Sequence, residues 1–174
     1  MTTYYIIPGL GNSGEEHWQT YFERQGPNFI RIQQTEWDAP KCQDWIEAIE
    51  QALEGVDLRE VVLVGHSLGC ATIAHWAQQY HKVIKGAFLV APSDLEAPLY
   101  TFPAEGFAPF PLQKLPFPSL VVASSNDPWV SLERAKQFAD AWGSNFHNIG
   151  EAGHINANAG FGVWPEGLEL LGRL

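Results

Sequence analysis

Short apolar runs alternate with amphipathic stretches along most of this chain of 174 residues, and this alternation restricts its fold more than any other feature. The runs are rich in β-branched and aromatic residues, which favour strands. Nearly continuous apolar strands separated by helices are typical of parallel strands covered on both faces. The alternation therefore predicts an α/β fold, a doubly wound and mainly parallel six-stranded sheet with helices on both faces. The predicted strands are 3–8, 28–33, 60–65, 86–91, 119–124 and 145–149.

Three of the four stretches predicted as helices place their apolar residues on one helical stripe, and the fourth, 67–81, is rich in Ala and contains no Pro. Residues 40–55 show the pattern well, with Trp45 and Ile49 on the same face. Ser13 and Glu16 have the spacing of a capping box, which predicts where the first helix begins. The helical patterns cover 13–26, 40–55, 67–81 and 131–143.

Length and composition predict one folded domain over residues 1–174. Hydrophobic residues make up 45% of the chain and charged residues 17%, a balance that favours a globular protein. The formal net charge of −10 argues against a phosphate-binding surface, since proteins that bind nucleic acids cluster Lys and Arg. The same charge disfavours anionic membranes. We therefore expect neither a nucleic acid nor a membrane among the partners.

The sequence shows no pattern that would direct it into or across a membrane. No apolar run approaches the roughly 20 residues that a membrane span needs, and the amino terminus lacks a basic-then-apolar signal. Cys42 and Cys70 match neither a disulfide framework nor the ligand spacing of a metal site. These features favour a cytoplasmic location.

Residues 92–118 interrupt the alternation with seven prolines, which prevent a long helix because each removes a backbone donor and fixes φ. The segment also carries five aromatic residues that need burial. Two compatible interpretations are open: a coil-like crossover packed on its own side chains, or a wall of an apolar pocket. We expect Phe107 and Phe110, together with Trp129 from a later loop, to contact a substrate.

The sequence GHSLG at 65–69 fits the G-x-S-x-G pattern and lies between a predicted strand and a predicted helix. A strand that turns abruptly into a helix strains its first turn residue and exposes that side chain at the carboxyl edge of the sheet. Gly65 and Gly69 lack the Cβ atoms that would collide there. Ser67 is therefore the predicted nucleophile. The Leu68 amide, at the start of the helix, points to the place where an oxyanion would form.

A serine nucleophile needs a base and an orienting acid. In this fold they follow in the order Ser, Asp or Glu, His, each after a later strand. Asp127 follows the fifth predicted strand and His154 the sixth, so both belong at the same sheet edge as Ser67. Asp94, after the fourth strand, is the alternative acid. Four other histidines are less suited to the base role, because they fall within predicted helices or a predicted strand: His17, His75, His81 and His147.

The glycine-rich turn PGLGN at 8–12 follows the first predicted strand and is the expected source of a second oxyanion donor. Glycines let the backbone approach a substrate closely, and the amide of Leu10 would be the donor. The spacing of Gly9, Gly11 and Gly14 also fits a dinucleotide-binding turn. That alternative is disfavoured because no acidic residue ends the second predicted strand.

The same motifs stand within four longer blocks, PGLGNSGEEHWQ, VGHSLGC, FAPFPLQKLPFPSLVVASSNDPWVSLERA and AGHINANAGFGVWPEG. These blocks resemble the small serine hydrolases related to retinoblastoma-binding protein 9, which include many bacterial members. The resemblance runs from about residue 4 to the carboxyl end and is most specific around Asp127 and His154. It implies a compact α/β-hydrolase without a separate lid domain, in which Ser67, Asp127 and His154 form the triad.

Two classes of function are open at this point. The first is a serine hydrolase that cleaves small carboxylic esters, or related thioesters and amides, through an acyl-enzyme and without a cofactor or a metal ion. Its partner would be a small-molecule acyl substrate, with short chains preferred because aromatic side chains of 92–118 and Trp129 would fill the space that a long acyl chain needs. Interfacial activation is not expected, because no segment resembles a mobile lid. The second is a protein-interaction module on a hydrolase fold, since fold does not fix function. The intact serine, acid, histidine and glycine turns favour the enzyme.

Overall fold

The computed structural model describes residues 1–174 and contains six strands: β1 (Thr3–Ile7), β2 (Phe29–Arg31), β3 (Val61–His66), β4 (Gly86–Val90), β5 (Ser119–Ala123) and β6 (Asn145–Asn148). They form one sheet in the order β2-β1-β3-β4-β5-β6, and every neighbouring pair is parallel. The predicted α/β fold is confirmed, and the sheet is parallel throughout. Because all strands run the same way, their carboxyl ends meet at one edge, where sites form in such sheets.

Five α-helices cover the sheet: α1 (Trp18–Glu23), α2 (Cys42–Ala52), α3 (Leu68–Tyr80), α4 (Leu132–Trp142) and α5 (Pro165–Leu171). Helices α2, α3 and α4 pack on one face, and α1 and α5 pack on the other. The sequence pattern misses α5, because seven residues that include Gly167 are too few to show a helical period. None of the helices has the length and apolar character that a membrane span requires.

Helix α1 begins later than the capping-box pattern predicts. Its N-cap is His17, whose Nδ1 accepts a hydrogen bond from the Gln19 amide at 3.2 Å. Ser13 lies outside the helix and donates its hydroxyl proton to the side-chain oxygen of Gln19 at 2.7 Å. The prediction of a capping box from Ser13 and Glu16 is therefore wrong. The reason is that Gln19 is fully buried, so its amide oxygen needs a donor, which Ser13 supplies.

Alternate residues of the central strands enter two separate hydrophobic cores. In β3, Leu63 packs beneath α2, α3 and α4, whereas Val62 and Val64 pack beneath α1 and α5. Every residue of β3 is buried, which explains why its sequence is a nearly continuous apolar run. Packing on both faces fixes the carboxyl end of β3, where the GHSLG turn begins.

Residues 92–118 connect β4 to β5 as an irregular crossover and contain no separate lid domain. The indole of Trp142 donates to the Pro111 carbonyl oxygen at 2.8 Å, which ties the segment to α4. The Phe110 ring stacks on Phe138 with centroids 4.3 Å apart. The crossover thus buries aromatic side chains against a helix of the main fold, which satisfies their need for burial.

Candidate active site

Ser67 stands between β3 and α3 in a strained backbone conformation. Its φ of 55° and ψ of −120° lie in a region that residues other than glycine rarely adopt. The Ser67 amide donates to the Val90 carbonyl oxygen at 3.0 Å and so joins the turn to β4. A Cβ at Gly65 would lie 3.1 Å from both the Cys70 nitrogen and the Gly69 carbonyl carbon, which are backbone atoms, so the turn favours glycine there. The strain is held by packing on both sides of the serine.

The structure brings Ser67, His154 and Asp127 into one hydrogen-bonded chain. Ser67 Oγ lies 2.9 Å from His154 Nε2, and His154 Nδ1 lies 2.8 and 3.0 Å from the two carboxylate oxygens of Asp127. The Asp127 side chain is fully buried, and 10% of the His154 side chain is exposed. Because a carboxylate only accepts, the proton of the neutral imidazole lies on Nδ1, and Nε2 is free to accept the Ser67 proton.

Asp94, the alternative acid, has different partners. Its carboxylate lies 3.4 Å from Arg134 Nε and accepts a hydrogen bond from the Glu96 amide at 3.2 Å. Asp127, by contrast, accepts from the Trp129 amide at 2.9 Å in addition to His154. The structure therefore places Asp127, and not Asp94, against the imidazole.

Ser124 and Asn126, which belong to no catalytic motif of the sequence, link the loops of the acid and the histidine. Ser124 Oγ accepts a hydrogen bond from the Ala152 amide at 2.9 Å, and Asn126 Oδ1 accepts one from the Gly153 amide at 2.7 Å. The loop after β5 is thereby fixed to the loop after β6. The signal in the sequence is the Ser-Ser-Asn step before Asp127, whose residue types also stand in ordinary turns.

The backbone amides of Leu10 and Leu68 donate no hydrogen bond within the protein. Leu68 is the first residue of α3, where the leading amides have no acceptor inside the helix. Leu10 follows Gly9, and a Cβ at Gly9 would lie 2.9 Å from Ser67 Cβ and 3.4 Å from the Leu68 nitrogen. The glycine turn after β1 is therefore packed directly against the serine turn.

A cavity of about 230 Å³ lies beside Ser67 and His154. Phe102 lies edge-to-face against both Tyr100 and Trp129, with ring centroids 5.4 and 5.0 Å apart, and the three rings form an aromatic wall. A wider groove of about 380 Å³ shares Tyr100 and Trp129 with the cavity. The cavity is lined by Leu10, Ser67, Ser93, Tyr100, Phe102, Trp129 and His154.

Of the three aromatic residues expected to contact a substrate, only Trp129 borders this cavity. Phe107 is buried and lies edge-to-face against Trp45, with centroids 5.9 Å apart. Phe110 is buried against Phe138. The expectation for Phe107 and Phe110 is corrected, because α2 and α4 offer these rings apolar partners within the core. The rings that border the cavity instead lie earlier in the segment, closer to the end of β4.

Two further histidines lie next to His154. His66 Nε2 donates to the His154 carbonyl oxygen at 2.9 Å, and the two rings are 4.9 Å apart between centroids. The His17 ring is 4.7 Å from that of His66. Burial lowers the pKa of His66 well below 6.5, and burial together with the nearby Arg31 guanidinium lowers the pKa of His17 to about 3. Two uncharged rings therefore back the imidazole that contacts Ser67.

A parallel sheet with a serine at the strand–helix turn of its third strand, and with an acid and a histidine after later strands, defines an α/β-hydrolase. A serine hydroxyl against an imidazole that a buried carboxylate orients is suited to attack an acyl carbon. The chain belongs to the serine hydrolase family, whose model matches residues 4–173. The family resemblance in the sequence is thereby confirmed, and the protein is a hydrolase.

Solved structures of other proteins share this fold. A YdeN-like hydrolase from Pectobacterium atrosepticum is 39% identical in sequence, with a TM-score of 0.88 over 99% of this chain and 90% of that one. The YdeN gene product of B. subtilis is 22% identical, with a TM-score of 0.85 over 99% and 98% of the two chains. Est1E from Butyrivibrio proteoclasticus, solved with ferulic acid bound, is 15% identical, with a TM-score of 0.68 over 99% and 86%. No curated protein matches the sequence.

Proposed function

We propose that the protein cleaves small carboxylic esters through an acyl-enzyme on Ser67. The observation that carries the proposal is the hydrogen-bonded chain from Ser67 through His154 to Asp127, in which Nε2 lies 2.9 Å from the serine oxygen. A base at this distance is within reach of the proton that it must remove. The strained turn adds support, because such strain persists where it presents a side chain for chemistry.

In acylation, Ser67 Oγ attacks the ester carbonyl carbon while its proton passes to His154 Nε2. Asp127 holds the imidazole with its proton on Nδ1 and stabilises the positive charge that forms. The amides of Leu10 and Leu68 donate to the carbonyl oxygen as it becomes an oxyanion. The tetrahedral intermediate then collapses, its C–O bond to the alcohol breaks, and His154 protonates that alcohol. A water molecule then attacks the acyl-enzyme by the same steps, and the carboxylic acid is released.

The cavity beside Ser67 supports a small, apolar acyl group as the substrate's reacting part. Its volume of about 230 Å³ is bounded on one side by the rings of Tyr100, Phe102 and Trp129. Three lining residues carry a hydroxyl group: Ser67, Ser93 and Tyr100. Such a lining accepts hydrocarbon and offers no cation for an anionic acyl chain.

An activity-based fluorophosphonate probe tests the proposal directly. We expect the wild-type protein to be labelled and to hydrolyse p-nitrophenyl acetate, and we expect Ser67→Ala to lose both properties. The variant should keep its fold, since the change removes one hydroxyl and leaves no core cavity; thermal unfolding checks this. Ser125→Ala, at an exposed serine in the loop after β5, is the matched control and should react like the wild type. A folded wild-type protein with neither labelling nor turnover would favour the interaction module.

A further inference from the structure

Ser93 makes the second polar contact to the Ser67 hydroxyl. Its Oγ lies 2.8 Å from Ser67 Oγ, and the residue is 1% exposed. This is the one hydrogen bond that the Ser93 side chain makes within the protein, and Ser93 also borders the cavity. The Ser67 oxygen is therefore held between the His154 imidazole and a second hydroxyl.

The backbone on both sides of Ser93 is fixed to neighbouring elements. The Ala91 amide donates to the Val122 carbonyl oxygen at 2.8 Å, and the Asp94 amide donates to the Trp129 carbonyl oxygen at 2.9 Å. Ala91 itself adopts a φ of 49°, which is uncommon for a residue with a Cβ. The Ser93 hydroxyl is thus placed by anchored backbone at the end of β4.

The direction of the Ser93–Ser67 hydrogen bond follows from counting protons. The Asp127 carboxylate accepts from His154 Nδ1, so Nε2 of the neutral ring has no proton and accepts from Ser67. Ser67 has one hydroxyl proton, which this contact uses. Ser93 must therefore donate, and Ser67 Oγ accepts its proton through a lone pair.

We propose that Ser93 is a further catalytic residue, which stabilises Ser67 Oγ when that oxygen departs from the acyl-enzyme. The inference rests on the proposed acyl transfer. In deacylation, water adds to the acyl carbon and gives a proton to His154; the C–Oγ bond then breaks, and His154 returns the proton to Ser67. Negative charge gathers on Oγ as that bond breaks. The Ser93 hydrogen bond strengthens at this moment and leaves the Ser93 proton in place.

The same hydrogen bond contributes less to acylation, because the two steps start from different states of Ser67 Oγ. In the free enzyme Oγ is a hydroxyl oxygen that already accepts the Ser93 hydrogen bond, so little strength is gained on reaching the acylation transition state. In the acyl-enzyme Oγ is an ester oxygen, which is a weaker acceptor, so the hydrogen bond gains strength only as the C–Oγ bond breaks. Loss of the Ser93 hydroxyl should therefore slow deacylation and leave acylation nearly unchanged. A residue that only supports the fold would slow both steps.

The test compares wild type, Ser93→Ala and Ser93→Thr on p-nitrophenyl acetate. For Ser93→Ala we expect kcat to fall about tenfold with a matching fall in KM, so that kcat/KM, which reports acylation, changes by less than about threefold. Rapid mixing should show a burst of p-nitrophenol, and intact mass should show an acetyl adduct. Ser93→Thr keeps a hydroxyl and should restore most of kcat. Ser119→Ala, at a buried serine whose Oγ lies 2.6 Å from that of Ser144, is the matched control and should behave like wild type.

Two results would overturn the inference: a fall in kcat/KM as large as the fall in kcat, or an unchanged kcat in folded Ser93→Ala. If thermal unfolding shows that Ser93→Ala is destabilised, Ser93→Cys replaces it, since a thiol of similar size is a weak donor. The wild-type arm separates the two proposals. A wild type that is neither labelled by the fluorophosphonate nor active contradicts the proposed function, whereas an active wild type with a wild-type-like Ser93→Ala contradicts the role of Ser93 alone.

Discussion

Gly69 lies so close to the end of β1 that a Cβ at this position would overlap the Ile7 carbonyl oxygen and lie 2.8 Å from that of Pro8. Gly69 is the second residue of α3, directly after Leu68. The contact therefore joins the start of α3 to the turn that carries Leu10. Gly69 therefore sets the distance between the turn after β1, which carries the Leu10 amide, and α3, which carries the Leu68 amide.

Gly69→Ala should destabilise the protein and disturb the site together. The new methyl group meets backbone carbonyls, which cannot rotate away, so α3 must shift from β1. We expect the free energy of unfolding to fall by about 1–3 kcal/mol. Turnover should fall further than the folded fraction explains, because the shift separates the Leu10 and Leu68 amides. Urea unfolding and esterase assays of the purified variant measure the two effects.

Gly14→Ala is the matched control for this substitution. A Cβ at Gly14 would meet nothing within 4 Å, and its φ is not positive. Its free energy of unfolding should stay within about 0.5 kcal/mol of wild type. Equal stability and activity of Gly69→Ala and Gly14→Ala would contradict the close-contact argument.

Asp127→Asn should reduce turnover far more than Asp94→Asn does. An amide at position 127 can donate to His154 Nδ1 and so favours the tautomer whose proton on Nε2 blocks acceptance from Ser67. We expect turnover to fall by about a thousandfold or more. Asp94→Asn weakens a contact with Arg134 between two partly buried side chains that do not touch His154, and it should change turnover by less than about fivefold. Steady-state kinetics on one ester decides the ranking, and the reverse order would assign the orienting role to Asp94.

The neutral histidines beside His154 predict a loss of stability on acidification. Burial, and for His17 also Arg31, holds the pKa of His17 at about 3 and that of His66 well below 6.5. Below about pH 6.5 the unfolded chain binds protons at these rings while the folded protein does not, so stability is full above this pH and falls as the pH decreases towards about 3. Each ring contributes a slope of up to about 1.4 kcal/mol per pH unit.

Urea unfolding between about pH 7.5 and 5.5 measures how the free energy of unfolding changes with pH. Most carboxylates titrate below this range, so they contribute little to the slope. His17→Asn removes one ring but keeps a side-chain oxygen that can cap α1, so its slope should be smaller than that of wild type. His81→Asn is the control, because His81 is exposed and has a φ of 52° that suits Asn. Identical slopes for wild type and His17→Asn would show that His17 is not held neutral.

The sequence predicts the sheet and the convergence of three side chains because both follow from chain order. Strands that are buried on both faces have a clear apolar signature, and the carboxyl ends of parallel strands must meet at one edge. Ser67 and Asp127 follow such strands, β3 and β5, and His154 follows the more exposed edge strand β6, so their proximity follows from chain order alone. The helix α5 and the start of α1 escape prediction because they depend on few residues and on tertiary hydrogen bonds such as that of Ser13 to Gln19.

The surroundings of Ser67 are less predictable, because they depend on packing between distant segments. Ser93 reads as an ordinary turn residue in "APSD", and its contact with Ser67 appears only when β3 and β4 are paired. In 92–118 the prolines remove the periodicity that would tell an inward ring from an outward one. Phe107 therefore enters the core while Phe102 borders the cavity, although the two rings look equivalent in the sequence.

The aromatic wall predicts a preference for short acyl chains that one substitution should relax. The cavity beside Ser67 measures about 230 Å³, and Tyr100 and Trp129 stand between it and the groove of about 380 Å³. We expect acetyl and butyryl esters of p-nitrophenol to be cleaved faster than the palmitoyl ester. With no separate lid domain in the crossover, activity should not jump when the substrate forms micelles. A preference for palmitoyl, or such a jump, would contradict the small cavity.

Tyr100→Ala should join the cavity to the groove and shift the preference towards longer chains. Removing the ring opens apolar space bordered by Ala97, Leu99 and Pro128, into which a hexanoyl or octanoyl chain can extend. The ratio of kcat/KM for octanoyl to that for acetyl should rise about tenfold, since each buried methylene contributes to transition-state binding. Leu99→Ala is the control, because Leu99 borders the groove but not the cavity and is 73% exposed; its ratio should match wild type. If Tyr100→Ala leaves the ratio unchanged while the protein stays folded, the acyl chain does not lie against this wall.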